Sequence, residues 1–178
     1  MACRATGTVA EAPNPAADAP TLRVLVVTVS TRAAAGEYDD RSGPAIVDAL
    51  SLWGINDVER TVVPDDEEVL VRLLREAVGS GVDAVLTTGG TGLSPDDRTP
   101  EATGQVVERE VPGVSEAIRA AGLDAGIATA ALSRGIAGVC GTTIIVNLPG
   151  SVGGAKDGVA VVGPLLEHAR SQLGGGDH

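Results

Sequence analysis

Residues 22–29 read LRVLVVTV, and this short stretch decides the fold class. A strand with one solvated face alternates apolar and polar residues, whereas a strand covered on both faces is apolar almost throughout. The run is nearly continuous in valine and leucine. It therefore predicts a strand inside a parallel sheet with helices packed on both faces.

Strand and helix patterns alternate after this first strand. Further strands are predicted at 58–63, 82–87 and 143–147. Helices are predicted at 42–54, 65–79, 99–111, 112–121 and 153–173. We expect Gly163-Pro164 to split the last helix, because proline lacks the N–H that a helix interior needs.

Residue types at the helix starts support these boundaries. Ser42 and Thr99 are expected to act as N-caps, with Pro44 and Pro100 in the first turns. The acidic residues at 65–68 suit the positive end of a helix dipole.

Short apolar runs separated by glycines fill residues 129–147 and predict a β-hairpin followed by the last core strand. The whole pattern predicts an α/β fold with three layers, α/β/α, a mostly parallel sheet and a local β-hairpin. A chain of 178 residues fits one domain, which we expect at 21–173. A flexible extension is expected at 1–20 and a flexible tail at 174–178.

Composition argues against several classes of function. The net charge is −11 and aromatic residues make up 1%, so neither a basic footprint nor a stacking platform for nucleic acid is expected. The sequence has no run of 18 apolar residues, and no membrane span is expected. Residues 1–20 lack an apolar core of signal-peptide length, which favours a cytoplasmic protein.

Cysteine and histidine chemistry is also not expected. Cys3 and Cys140 cannot form a disulfide framework and have no metal-ligand neighbours at a suitable spacing. His168 falls late in the last predicted helix and His178 in the tail. The sequence therefore predicts neither a Ser-His-Asp arrangement nor a cysteine nucleophile.

Residues 87–103, TTGGTGLSPDDRTPEAT, are the predicted functional centre. The glycine-rich part at 89–92 lies between a strand and a helix, and ligands of α/β sheets bind beyond the carboxyl ends of strands. Consecutive glycines let backbone N–H groups turn toward an anion such as phosphate. The pattern is neither a P-loop nor a dinucleotide fingerprint, so a plain structural turn is the alternative.

Adjacent carboxylates, Asp96 and Asp97, stand beside this predicted phosphate site. They would repel a phosphate unless a cation intervened, and Mg²⁺ prefers carboxylates, phosphate oxygens and water. Asp65 should emerge at the same edge after the second strand. The alternative for Asp96 and Asp97 is a turn cap, and for Asp65 a helix cap.

Four strand ends should deliver polar or glycine-rich residues to one rim of the sheet. Residues 30–32 (STR) follow the first strand, and residues 147–151 (NLPGS) follow the last. Together with Asp65 and residues 89–92, they predict a binding or catalytic site at the carboxyl edge.

Six segments of the chain carry a family resemblance. They are STRAAAGEYDDRSGP (30–44), VVPDDEE (62–68), TTGGTG with RTPEAT (87–92 and 98–103), EREVPGVSEAIR (108–119), LSRGIAGV (132–139) and IIVNLPGS (144–151). In this order they closely resemble the molybdenum cofactor biosynthesis proteins of the MogA/MoaB family. The resemblance covers about residues 22–172.

The resemblance implies an α/β/α fold, homotrimers and, in the MogA branch, a molybdopterin adenylyltransferase. Such an enzyme uses Mg²⁺ and ATP to adenylylate the terminal phosphate of molybdopterin and releases pyrophosphate, ahead of molybdate insertion by a partner protein. The two aspartates that matter in that branch correspond to Asp65 and Asp97. The family usually has R-D-V-T-P where this chain has DDRTP at 96–100. Arg98 is therefore the candidate to supply the phosphate contact of the missing arginine.

We predict Asp65 and Asp97 as catalytic residues and Mg²⁺ ligands, with ATP as co-substrate and molybdopterin as substrate. The predicted substrate- and phosphate-binding residues are Ser30, Arg32, Thr88, Gly89, Gly90, Thr91, Gly92, Ser94, Thr99, Ser133, Asn147, Pro149, Gly150 and Ser151.

Three alternatives stay open at this point, and one of them is a structural α/β domain that binds no ligand. A MoaB-type relative could bind molybdopterin as a scaffold without catalysis. The amino-terminal domain of the CinA family has a similar fold and a glycine loop with paired aspartates. The combination of GGTG with RTPEAT favours the molybdopterin proteins.

Overall fold

The computed structural model describes residues 21–175. The extension predicted at 1–20 lies outside these residues, as do the last three positions of the predicted tail. The strands are β1 (Arg23–Val29), β2 (Asp57–Val63), β3 (Ala84–Thr88), β4 (Arg109–Glu110), β5 (Ala137–Cys140) and β6 (Thr143–Leu148). The helices are α1 (Thr31–Ala34), α2 (Ser42–Ser51), α3 (Glu67–Gly79), α4 (Thr99–Gly104), α5 (Pro112–Asp124) and α6 (Val152–Leu173), with a 3₁₀ helix at Ala128–Leu132.

The strands form a six-stranded sheet in the order β2-β1-β3-β6-β5-β4. β2, β1, β3 and β6 are parallel, whereas β5 is antiparallel to β6 and β4 is antiparallel to β5. Val29 is in register with Val63, and Thr88 with Thr28 and Leu148, so the four parallel strands end at one rim. The mostly parallel sheet and the β5–β6 hairpin confirm the predicted fold class.

Helices cover both faces of the sheet, as the apolar run in β1 predicts. Val24 and Val26 pack with α2, α5 and α6, whereas Val27 and Val29 pack with α3 and α4. This division follows from the two-residue period of a strand. Each fully buried valine or leucine stabilises the fold by roughly 1.5–3 kcal/mol. The sheet is thus the middle layer of three, and it holds the rim in place.

The start of α3 decides between the two interpretations of Asp65. The carboxylate of Asp66 accepts a hydrogen bond from the backbone N–H of Val69 at 3.0 Å and so caps the helix. Glu67 and Glu68 follow in the first turn, at the positive end of the helix dipole. Asp65 therefore does not cap α3.

The prediction of a helix at 99–111 is wrong in its second half. α4 ends at Gly104, and Arg109 and Glu110 form β4 instead. They are in register with Val139 and Gly138 of β5. Two exposed charged residues carry no strand pattern of their own, so this strand exists because a distant partner supplies its hydrogen bonds.

The region that follows differs from prediction in its boundaries and in how its hairpin is built. α5 begins at Pro112, as predicted, but runs to Asp124 rather than to 121. The predicted hairpin and the predicted last core strand are one unit, because β6 is the second arm of the hairpin. The segment at 128–132 is a 3₁₀ helix.

The prediction that Gly163-Pro164 splits the last helix is wrong. α6 continues through Pro164 for 22 residues. Proline deprives the carbonyl of Ala160 of its helical partner, but both residues are exposed and water can satisfy that carbonyl. Gly163 packs against Trp53, since a Cβ on Gly163 would lie 2.5 Å from Cδ1 of the indole ring. Neither α6 nor any other helix within residues 21–175 is long and apolar enough to cross a membrane.

Two predicted N-caps have other roles. α2 begins at Ser42, and the carboxylate of Asp40 accepts the N–H of Gly43 at 2.9 Å. α4 begins at Thr99, whose hydroxyl donates to the carbonyl of Gly89 at 2.9 Å. Thr99 therefore ties the start of α4 to the glycine-rich loop.

Candidate active site

The loop after β3 makes a tight turn at the rim. Gly89 and Gly90 have φ angles of +99° and +62°, in the region that favours glycine. A Cβ on Gly89 would lie 2.4 Å from the carbonyl oxygen of Val29, and one on Gly90 would lie 2.3 Å from Oγ1 of Thr99. Glycine is therefore needed at both positions, and backbone atoms form the surface here.

This loop also carries backbone donors without protein partners. Within residues 21–175, the N–H groups of Gly92, Leu93 and Arg98 have no hydrogen-bond acceptor. N–H groups collected in one glycine-rich loop can bind an anion such as phosphate.

The loops after β3 and β6 meet in close backbone contact. A Cβ on Gly150 would lie 3.1 Å from Cα of Gly89. The next residue, Ser151, caps α6 with its hydroxyl. We call residues 89–90 and 150–151 the glycine seam.

Buried polar side chains support the two loops from below. Thr88 Oγ1 donates to the carbonyl of Pro149 at 2.7 Å. Asn147 is only 3% exposed, and its amide Nδ2 donates to Oγ1 of Thr87 and of Thr103, both at 2.9 Å. Its Oδ1 accepts a backbone N–H at 3.1 Å. Asn147 thus bonds within the protein and lies beneath the site.

A cleft of about 650 Å³ adjoins the glycine seam, and we call it the larger cleft. Its large apolar and charged lining residues are Leu93, Ile118, Ile127, Leu132, Asp97, Arg119 and Asp157. Arg119 also supports the wall, because its Nη1 donates to the carbonyls of Ser133 at 3.4 Å and Gly135 at 3.0 Å. Apolar walls with a few polar groups are typical of small-molecule sites.

A second cleft of about 370 Å³ shares Gly150 and Ser151 with the first, and we call it the smaller cleft. Its lining is more polar and includes Thr28, Ser30, Tyr38, Asp39, Asp40, Arg41 and Ser42. The guanidinium of Arg32 lies over the ring of Tyr38, 5.5 Å from its centroid. The glycine seam therefore borders two clefts of different chemistry.

Asp65 lies at the rim and is bonded to the segment after β1. Its Oδ2 accepts the N–H of Thr31 at 2.7 Å, and its own N–H donates to Oγ1 of Thr31 at 3.0 Å. It lines a narrow crevice with Asp96 and Arg98. The ends of β1 and β2 are thus joined through Asp65.

Asp97 combines a structural contact with a place in the larger cleft. Its Oδ2 accepts the N–H of Ser94 at 2.8 Å, and its N–H donates to the carbonyl of Ser94 at 3.0 Å. Asp97 therefore caps the turn, as the alternative interpretation predicts, but only one of its two carboxylate oxygens is used for this. The neighbouring Asp96 makes no hydrogen bond within the described chain and does not line the larger cleft.

Asp65 and Asp97 each have a carboxylate oxygen of the kind that Mg²⁺ binds, but they line different cavities, the crevice and the larger cleft. In each of these two carboxylates, one oxygen accepts a backbone N–H, and the other makes no hydrogen bond within the described residues. Within residues 21–175, no group of three or more Asp, Glu, His or Cys residues is arranged to hold a metal. Mg²⁺ typically combines one or two carboxylates with phosphate oxygens and waters, so a phosphate would have to complete the ligands.

The guanidinium of Arg98 forms ion pairs with two carboxylates. Its Nε lies 2.8 Å from Glu67 and its Nη1 lies 3.4 Å from Glu101. The hydrogen bond to Glu67 is the main cause that raises the pKa of the Arg98 guanidinium. Because Arg98 lines the crevice and not the larger cleft, its position disfavours the predicted phosphate contact.

The structure brings most predicted site residues to the two clefts. The larger cleft is lined by Gly90, Thr91, Gly92, Ser94, Asp97, Ser133, Pro149, Gly150 and Ser151. The smaller cleft is lined by Ser30, Thr88, Gly89, Gly150 and Ser151. Asp65 and Thr99 line the crevice, whereas Arg32 and Asn147 line neither cleft.

The sequence predictions missed two arginines at the site. Arg119 lines the larger cleft, and Arg134 donates from Nε to the carbonyl of Gly92 at 2.7 Å. A usable signal was present, because the chain has one lysine, Lys156, and arginine must supply most positive charge. Both arginines also stand in segments that carry the family resemblance.

Comparison with known proteins identifies the family of the chain. A family model described as a probable molybdopterin binding domain matches residues 25–168. A molybdopterin adenylyltransferase of Pyrococcus furiosus is 39% identical over 160 residues, which cover 84% of this chain and 92% of that protein. A molybdenum cofactor biosynthesis bifunctional protein of Synechococcus elongatus is also 39% identical, over 86% of this chain. The chain spans 48% of the length of that protein, and 50% and 25% of two further relatives.

Solved structures give the same result. One described as MogA has a TM-score of 0.80 at 46% identity and covers 85% of this chain and 99% of its own. A CinA protein from Thermoplasma acidophilum, at 20% identity and a TM-score of 0.59, shares the fold alone. The chain therefore belongs to the MogA/MoaB family of molybdenum cofactor biosynthesis proteins.

Proposed function

We propose that this protein transfers AMP from ATP to the terminal phosphate of molybdopterin and releases pyrophosphate. The observation that carries the proposal is the pair of clefts that share the glycine seam. Two substrates in adjoining clefts would bring their phosphates together at a backbone surface with free N–H groups. The Pyrococcus furiosus relative, of which the alignment covers nearly the whole length, is named for this activity and supports the proposal.

The larger cleft is the proposed site of the pterin. Ile118, Ile127 and Leu132 offer apolar walls for a flat ring, and Arg119 and Asp157 offer charged groups for its polar edges. The terminal phosphate would then lie at the N–H groups of the glycine-rich loop.

The smaller cleft is the proposed site of the nucleotide. Tyr38, which lines this cleft, offers a flat ring for the adenine base. The Asp40 carboxylate and the hydroxyls of Ser30 and Ser42 can bond to ribose hydroxyls. The phosphates of ATP would extend from there to the glycine seam.

The reaction needs alignment and charge neutralisation more than a covalent intermediate. An oxygen of the molybdopterin phosphate attacks the α-phosphorus of ATP, the bond between that phosphorus and the β-phosphate oxygen breaks, and pyrophosphate leaves. Asp65 and Asp97 would hold a Mg²⁺ ion that neutralises phosphate charge. The seam and the N–H groups of the loop keep the reacting phosphates in line.

We also propose a homotrimer that passes its product to a molybdate-inserting partner. Leu93 is 65% exposed where it lines the larger cleft, and it supports a protein contact near the mouth of that cleft.

The direct test is incubation of the full chain with molybdopterin, Mg²⁺ and ATP labelled at the α-phosphate, with adenylylated pterin and pyrophosphate both quantified. Asp97→Asn keeps an oxygen for the Ser94 N–H but removes the charge. We expect turnover to fall about 10²- to 10³-fold while molybdopterin still binds. Asp96→Asn is the matched control and should keep its turnover. Near-normal turnover by Asp97→Asn would remove Asp97 from the mechanism.

Asp65→Ala tests the metal role separately. We expect it to need a higher Mg²⁺ concentration for half-maximal turnover, and an unchanged requirement would contradict that role. If the unmodified protein binds molybdopterin but consumes no ATP, the alternative of a non-catalytic scaffold of the MoaB type is correct.

A further inference from the structure

Arg134 contacts four points around the glycine-rich loop. Its backbone N–H donates to the carbonyl of Thr91 at 2.9 Å, and its Nε donates to the carbonyl of Gly92 at 2.7 Å. Its Nη2 donates to the carbonyl of Asp97, and its Nη1 donates to the carboxylate of Glu101. Because the guanidinium is planar and its donors form a rigid fork, these contacts hold the two ends of the loop at a defined spacing.

These contacts determine which way three peptide groups face. In a trans peptide, the C=O of one residue and the N–H of the next point in opposite directions, and the described chain has no cis peptide. Arg134 binds three carbonyls, so the N–H groups that follow them turn away from it. They belong to Gly92, Leu93 and Arg98, none of which has an acceptor for its N–H within residues 21–175. The N–H groups of Gly89, Gly90, Thr91 and Asp96 in the same loop are also without an acceptor there.

The position of Arg134 relative to the cleft completes the arrangement. Gly92, Leu93 and Asp97 line the larger cleft, whereas Arg134 does not. We infer that Arg134 is a positioning residue, which holds the loop from its outer side and presets its N–H groups for a substrate phosphate. The identity of that phosphate rests on the proposed function, but the geometry does not.

Other restraints on the loop are few. Within the loop, Asp97 and Ser94 bond to each other, and the N–H of Thr99 donates to the carbonyl of Gly90 at 3.1 Å. Leu93 is 65% exposed. A loop that is free to move must be ordered when the anion binds, and that ordering weakens affinity. Arg134 adds four contacts to these restraints in the folded protein before any ligand arrives.

Glu101 orients Arg134 from the other side. The hydrogen bond from Arg134 is the main cause that lowers the pKa of the Glu101 carboxyl, so the pair stays ionised near neutral pH. Glu101 also lies 3.4 Å from Arg98, which pairs with Glu67 on α3. The loop is thus connected through charged side chains to the helix that begins beside Asp65.

The test compares Arg134→Lys and Arg134→Ala with the unmodified chain. Lysine keeps the charge but cannot reach several carbonyls with a planar fork. Arg23→Ala is the matched control, because Arg23 also donates to a carbonyl, that of Ser80, at the opposite edge of the sheet. Two measurements need no catalysis: amide hydrogen exchange of residues 91–98 without ligand, and calorimetric binding of inorganic pyrophosphate.

We expect both Arg134 variants to exchange faster at 91–98 and to bind pyrophosphate about tenfold more weakly. The rest of the sheet should exchange at the normal rate, and Arg23→Ala should match the unmodified chain in both measurements. Normal exchange and normal pyrophosphate affinity in Arg134→Lys would overturn the inference. If Arg134→Ala fails to fold, Arg134→Lys and Glu101→Gln carry the same measurements.

Turnover separates this inference from the proposed function. If the unmodified chain adenylylates molybdopterin, Arg134→Lys should lower kcat by about 100-fold, because a misplacement of the reacting groups by about 1 Å can lower the rate by that factor. Added guanidinium ion should partly restore Arg134→Ala. An active protein whose kcat is unchanged in Arg134→Lys would contradict the inference. A further outcome is that neither the unmodified chain nor the variants show turnover, while the variants exchange faster at 91–98 and bind pyrophosphate more weakly. In that case only the proposed function fails.

Discussion

The larger and the smaller cleft share one backbone seam but present different side chains to it. The larger cleft is walled by α5 and the 3₁₀ helix, with apolar residues around Arg119. The smaller cleft is walled by the β1–α2 segment, with hydroxyls, carboxylates and Tyr38. The element that they share is backbone, whose N–H groups would bind a phosphate whatever molecule carries it. Under the proposed function, separate segments of the chain would then select the two substrates independently.

The largest test of this division concerns the larger cleft. Arg119→Ala should weaken molybdopterin binding about 10- to 100-fold, since hydrogen bonds to charged groups contribute about 1.5–3 kcal/mol, while the KM of ATP stays within about twofold. Molybdopterin binding and ATP kinetics are measured separately. Arg72→Ala, on α3 and outside both clefts, is the control. An equal rise in the KM of ATP would show that the clefts are not independent.

The converse test concerns the smaller cleft. Tyr38→Ala should raise the KM of ATP roughly tenfold, because stacking of a base on an aromatic ring contributes about 1–3 kcal/mol. Molybdopterin affinity should not change. Tyr38→Phe keeps the ring and should resemble the unmodified protein. A Tyr38→Ala protein with normal ATP kinetics would place the nucleotide elsewhere.

The smallest expected effect is on stability and concerns Glu101 and Arg134, which line neither cleft. Arg134 lowers the pKa of Glu101, so the folded state binds its proton less readily than the unfolded chain. This contribution is present above the ordinary glutamate pKa of about 4.3 and is lost as pH falls below it. Glu101→Gln should therefore lower the free energy of unfolding at pH 7 by about 1 kcal/mol or less. Urea unfolding between pH 3 and 7 should show the gap closing in acid, and a gap that widens in acid would contradict the assignment.

Local patterns predicted the sheet well, because each parallel strand is a run of residues buried on both faces. Val24 to Val29 needed no knowledge of partners to be assigned. The failures have another cause. Arg109 and Glu110 form β4 only through β5, and α6 passes Pro164 because Ala160, whose carbonyl loses its helical partner, is exposed to solvent. Both outcomes depend on neighbours or exposure that the local sequence does not encode.

Some features of the candidate site could likewise be predicted from local sequence, and others could not. The convergence of Asp65, the glycine loop and residues 147–151 follows from parallel topology, so the sequence could predict it. The role of Asn147 beneath the loops could not be predicted, since its partners are 44 and 60 residues away. Arg134 likewise binds carbonyls about forty residues earlier in the chain, and no periodic pattern reports such contacts.

The outer strands of the sheet have a consequence for crowded conditions. β4 has only two residues, both charged and exposed, and β2 exposes Asp57, Glu59 and Arg60 along the other border. Short or charged borders discourage neighbouring molecules from adding strand to strand, the step that leads to fibrils and inclusion bodies. We therefore expect copies of this chain to meet through helices and loops, and to stay dispersed when synthesised at high concentration.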